Sequence, residues 1–154
     1  MSRSVPGFAT VARALLADGI AIRFRAGGQS MMPAIGDGDC LVVAPVDASA
    51  VGIADVVLCE TGRRLVAHRV LSVDRARLTT CGDAALEMDR PVSPGDVRGR
   101  VVAVERGGTT VDLAVAGGAL VRLAIVAGLE LRRAVRRFGA RAWLGAATAA
   151  RGAG

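Results

Sequence analysis

With 154 residues, 52% of them hydrophobic, the chain is long enough for one packed domain and too apolar for a disordered tail. Aromatic residues make up only 3% and tyrosine is absent, so the core must be built from Val, Leu, Ile and Ala. The net charge is +6 and all 20 basic residues are arginines, which excludes any mechanism that needs a lysine side chain. An arginine excess can point to nucleic acid or anionic lipid. Scattered arginines read instead as a solvated surface, and no nucleic-acid partner is expected.

The three cysteines, Cys40, Cys59 and Cys81, have neither metal-ligand nor redox spacing and sit in apolar runs. They read as small buried hydrophobes, and no metal or cofactor is expected. The N-terminus lacks the continuous apolar stretch of a cleavable leader, and no run of about 20 apolar residues is free of charge. The expectation is a cytoplasmic or peripherally membrane-associated protein.

In chain order, Phe8, Val11, Ala12, Leu15 and Leu16 recur at helical spacing and predict an amphipathic helix over 8–18, with Gly19 as its stop. The period then changes to two. Ile20, Ile22 and Phe24 alternate with Ala21, Arg23 and Arg25, as in a half-buried strand. Gly27-Gly28 breaks that strand and leads into Gln29-Ser30-Met31-Met32-Pro33. Short strands are predicted over 40–44, 55–60, 64–73, 77–81, 98–105 and 109–115, separated by turn residues such as Asp37-Gly38, Gly62 and Pro94-Gly95. Gly107-Gly108 predicts a hairpin between the last two. Many short strands at close spacing make the fold class mainly β and antiparallel.

A second, amphipathic helix is predicted over 119–138, with Leu120, Leu123, Val126 (or Ala127) and Leu131 along one face. Arg132, Arg133, Arg136, Arg137 and Arg141 follow. Arg122 and Glu130 interrupt the apolar run, and an Arg at the centre of a spanning helix costs about 3 kcal/mol. A helix packed on the domain or lying on a membrane surface is therefore expected over one that crosses. The organisation expected is a domain over 1–115, a helical extension over 116–145 and a disordered tail over 146–154.

A hydrolase needs a group that takes a proton near neutral pH. The only histidine, His68, lies in the strand-like run Leu65-Val66-Ala67-His68-Arg69-Val70-Leu71, where a lone histidine is more often a packing residue than a base. Ser30 alters that balance. It sits just past a strand end, between glycines that let backbone approach a ligand and a proline that stiffens the far side.

The stretch Gly28-Gln29-Ser30-Met31-Met32-Pro33-Ala34-Ile35, followed by Gly38-Asp39, resembles the nucleophile box of the signal peptidases and the related self-cleaving repressors of the LexA type. Ala67-His68-Arg69-Val70-Leu71 resembles the histidine box of the endoplasmic-reticulum and archaeal branch, in which histidine replaces the lysine of the typical bacterial enzymes. Thr80-Cys81-Gly82-Asp83, with Asp89 after it, resembles that branch's Gly-Asp box and trailing aspartate, and Val97-Arg98-Gly99-Arg100-Val101 its closing strand. The four boxes stand in the family's order across residues 28–101.

The resemblance implies a barrel-like antiparallel catalytic domain and a serine endopeptidase without cofactor. Ser30 would be the nucleophile and His68 the general base. Asp89 would orient the imidazole, with Asp83 the alternative or a holder of the loop. Gly28, Gln29, Met31, Met32 and Pro33 would form the oxyanion and substrate-binding surface. The partner implied is a peptide or protein with small residues before the cut. The sequence departs from the family where a helper serine often stands (Gly28), where a basic residue precedes Gly82 (Cys81) and where a Gly-Asp is expected (Ala54-Asp55). Two other readings compete: a binding module on the same scaffold that does no chemistry, and an arginine-rich binder of nucleic acid or anionic membrane.

Overall fold

The computed structural model describes residues 7–62, 64–114 and 119–151. Among these, helix α1 (Phe8–Ala17) is followed by strands β1 (Ile22–Arg25), β2 (Cys40–Ala44), β3 (Val56–Thr61), β4 (Arg64–Val73), β5 (Leu78–Cys81), β6 (Val97–Arg106) and β7 (Thr109–Asp112), and then by helix α2 (Ala119–Arg151). The seven strands form one antiparallel sheet in the order β1-β2-β6-β3-β4-β5, with β7 also on β6. The chain is thus mainly β, as its alternating runs predict.

The expected barrel is not closed. β1 pairs with β2 and β5 with β4, so each ends the sheet. Gly27-Gly28 ends β1 early, and a cleft lies between the end of that strand and residues 64–67 of β4. Over those residues, among the described ones, β4 pairs with β3 alone.

Two apolar clusters fill the interior, and β3 contributes to both. Val56 and Leu58 join α1, Met31, Ile35, Leu41 and Val104 in one, whereas Val57 and Cys59 join Val70, Leu78, Val92 and Val97 in the other. That accounts for the unbroken Val-Val-Leu-Cys run: a strand covered on both faces has no solvent side to make polar. Cys59 and Cys81 are buried and free, and burial pushes the Cys59 thiol up to about 12. Cys40 departs from the expectation in being only half-buried.

Helix α1 ends where Gly19 adopts a left-handed φ of 79°, with the Gly19 and Ile20 N–H groups donating to the carbonyls of Leu16 and Leu15. This cap turns Ile20 outward, so β1 starts at Ile22 rather than at residue 20. Gly107 and Gly108 both have positive φ and close the two-residue β6–β7 hairpin. Ala54 has a φ of 73°, in the left-handed region that favours glycine. Its conformation is fixed by an N–H bond to Val70 and by Arg69 donating to its carbonyl.

Helix α2 presents a different face from the one its leucines predict. Leu129 and Arg133 are buried, whereas Leu123, Leu131, Val135 and Phe138 are exposed. Leu120 and Arg141 lie outside the described side chains. The helix is seated by arginines instead: Arg122 pairs with the buried Asp55, and Arg133 reaches the loop after β5. The helix continues to Arg151, past residue 146 where a tail is expected, and residues 152–154 lie outside the described residues. Among the described residues no helix is long and apolar enough to cross a membrane.

Candidate active site

The turn that carries Ser30 begins where Gly28, at φ 97°, lets the chain leave β1, and its N–H donates to Asp37 Oδ1 at 2.8 Å. Met31 and Ile35 are buried in the core and pin the turn from below, bridged by the Ile35 N–H to the Met31 carbonyl at 2.9 Å. At its far end Asp39 accepts from the Gly36 N–H at 2.6 Å and pairs with Arg106. The Arg106 hydrogen bond, followed by that from Gly36, holds the Asp39 carboxyl down at about 2.

Strand β4 brings His68 to this turn. Its Nε2 lies 3.1 Å from Ser30 Oγ, and its Nδ1 lies 2.6 Å from Asp89 Oδ2. Ser30, His68 and Asp89 therefore form one hydrogen-bonded line, and the His68 side chain within it is only 12% exposed. With Asp89 ionised, Nδ1 is the donor, which leaves Nε2 as an acceptor for the serine hydroxyl. Burial acts first on Asp89 and would raise its carboxyl. Hydrogen bonds from His68 and Thr80, with the charges of His68 and Arg133, outweigh burial and hold it below its ordinary value.

Asp83 does something else. Successive side chains of a strand point to opposite faces, so Arg69 turns away from His68 and meets Asp83 in a two-pronged pair at 2.8 and 2.7 Å. Both side chains are nearly buried. Asp83 therefore holds the loop after β5, the second of the two roles open to it in the sequence. That loop is also tied to the serine: the Ala84 N–H donates to the Ser30 carbonyl at 2.8 Å. A Cβ on Gly82 would lie 2.4 Å from the same carbonyl oxygen, so only glycine lets the loop come this close.

The adjoining cleft has a volume of about 340 Å³ and an apolar lining that includes Phe24, Met31, Ile35, Leu65 and Ala67, with Gly28 and Ser30 at its wall. Of the residues expected to bind substrate, Gly28 and Met31 line it. Met32 and Pro33 line a groove beside α2 instead, because the turn rolls over the buried Met31. Gln29 is exposed, its carbonyl accepting from the Met32 N–H. Among the described residues the Ser30 N–H has no hydrogen-bond partner. Among them, too, no group of three or more His, Cys, Asp or Glu side chains could hold a metal ion.

Thr80, Arg69 and Arg133, which the structure places around these groups, are not among the site residues expected from the sequence. Arg69 stands next to His68 in its box, and Thr80 stands in the box of Asp83. Arg133 left no signal beyond its place in an arginine-rich helix. No family model and no curated protein matches the chain.

Proposed function

We propose that the chain is a serine endopeptidase of the signal-peptidase type, using Ser30 as nucleophile and His68 as general base. The observation that carries this reading is the line Ser30 Oγ–His68 Nε2 and His68 Nδ1–Asp89 Oδ2, at 3.1 and 2.6 Å. Serine hydroxyls are poor nucleophiles until a base takes the proton, and the base must be held in the right tautomer. On this reading Ser30 Oγ attacks the scissile carbonyl while His68 Nε2 receives its proton. The same proton passes to the leaving amine as the C–N bond breaks and an acyl-serine forms. Water, deprotonated by His68, then releases the acid and restores Ser30. Asp89 stabilises the imidazolium in both halves. The Ser30 N–H is available to the developing oxyanion, a donor type worth about 3 kcal/mol.

The substrate is an extended peptide. The cleft runs beside the strand edge at 64–67, which can pair with a peptide backbone. Its apolar lining favours small, uncharged residues before the cut. The antiparallel sheet supports placing the domain with the signal-peptidase catalytic fold, in a form open along the cleft.

The test uses purified wild type, Ser30→Ala and His68→Ala with an alkyl fluorophosphonate and an alanine-rich peptide library. Wild type should form a Ser30 adduct, located by mass spectrometry, and cleave after small residues. Both variants should lose cleavage with unchanged circular dichroism. Peptide retained intact by the wild type would favour the binding module, and cleavage by Ser30→Ala would sink the mechanism.

A further inference from the structure

Three arginines on one face of α2 capture four carbonyls of the loop after β5. Arg133 donates to Gly82 at 3.1 Å and to Ala85 at 3.2 Å, Arg136 donates to Ala84 at 3.0 Å, and Arg137 donates to Leu86. Arg133 is the centre of the set: it is 2% exposed, and Glu130 one turn back holds it at 2.6 Å. A buried guanidinium is costly unless its donors are used, and here they are used on the Glu130 carboxylate and two main-chain oxygens. The loop they grip meets Ser30 at two points. Ala84 donates to the Ser30 carbonyl, and Gly82 packs against the same residue. Farther along, the same loop carries Asp89.

We infer that Arg133 is a positioning residue, through which a docked α2 sets the 82–89 loop so that Ser30, His68 and Asp89 stay in line. The inference rests on the peptidase reading above for its catalytic consequence, but the mechanical coupling stands apart from it. Its direction is from helix to site: Arg133 touches neither Ser30 nor His68, so its removal should act on the line through the loop that carries Asp89. The charge of Arg133 also reaches Asp89, where it is one of the influences opposing burial.

The experiment compares full-length wild type with Arg133→Ala and Arg133→Lys, the latter keeping the charge and a single-point donor. Steady-state kinetics should show kcat lower by roughly ten- to a hundredfold in Arg133→Ala, as expected for lost charge-assisted hydrogen bonds. KM should change less than twofold, and Arg133→Lys should recover part of the loss. Amide hydrogen exchange should quicken at Ala84 in the same order while Leu58 in the sheet keeps its protection. Wild-type kcat and Ala84 exchange in both variants would overturn the inference. So would a loss of protection that spreads equally to Leu58, which marks a general loss of stability. Should the wild type fail to acylate at Ser30, the peptidase reading falls, and Ala84 exchange alone decides whether Arg133 holds the loop.

Discussion

Thr80 grips Asp89 twice. Its hydroxyl donates to Asp89 Oδ2 at 2.7 Å, and its carbonyl accepts the Asp89 N–H at 2.9 Å. The oxygen that receives the hydroxyl is the one that faces His68 Nδ1, so a buried side chain 1% exposed sets where the carboxylate stands. Thr80→Val keeps the shape and removes the donor. Its kcat should fall roughly tenfold, as expected when a hydrogen bond to a charged group is lost. An unchanged kcat would show that the main-chain contact is enough to seat Asp89.

The two aspartates of the loop should fail in different ways. Asp89→Asn can hold the wrong imidazole tautomer, so kcat should drop by about 10³–10⁴ in a chain that still folds. Asp83→Ala leaves Arg69 buried and unpaired, which costs about 3–5 kcal/mol. That loss should appear as a lower unfolding midpoint in urea. A stable Asp83→Ala chain with no activity would reverse the assignment.

Gly82→Ala tests how closely the loop must approach the serine. The added methyl group meets main chain rather than a flexible side-chain tip, so Ser30 or the loop must move. The rate of phosphonylation at Ser30 should fall at least tenfold while far-ultraviolet circular dichroism is retained. A rate equal to wild type would mean that the contact is slack.

Acid should weaken the Ser30 turn through Asp39. Its carboxyl is depressed to about 2 in the fold from an ordinary value of 3.8. The stability it contributes is therefore complete above the higher value and lost as pH falls towards the lower one. Thermal midpoints measured from pH 5 to pH 2 should decline less in Asp39→Asn than in wild type, with the variant less stable at pH 5. Parallel declines would remove Asp39 from the account.

Much of the sheet can be read directly from the chain. Residues 40–44 and 64–73 are strands with the bounds their apolar runs predict, because Pro45 and the glycine at 62 stop them locally. The juxtaposition of Ser30, His68 and Asp89 could be anticipated because each stands in a short box whose order along the chain is itself informative. The open edge between β1 and β4 could not, since pairing of strands distant in sequence leaves no local mark. The Arg69–Asp83 pair was hidden for a related reason: alternation shows that Arg69 faces away from His68, but not what it meets. The buried face of α2 differs from the one its leucines predict because hydropathy spacing carries no mark of a guanidinium whose partners are on another segment's backbone.

Main-chain carbonyls are chemically alike whatever side chain accompanies them. The grip of Arg133, Arg136 and Arg137 on residues 82–86 is therefore indifferent to the identities of Ala84, Ala85 and Leu86. Of the three, Leu86 has the most exposed side chain, so a substitution there should leave the grip of the arginines on the loop in place. The restraint falls on the helix: a one-residue slip in its register would turn all three arginines away together.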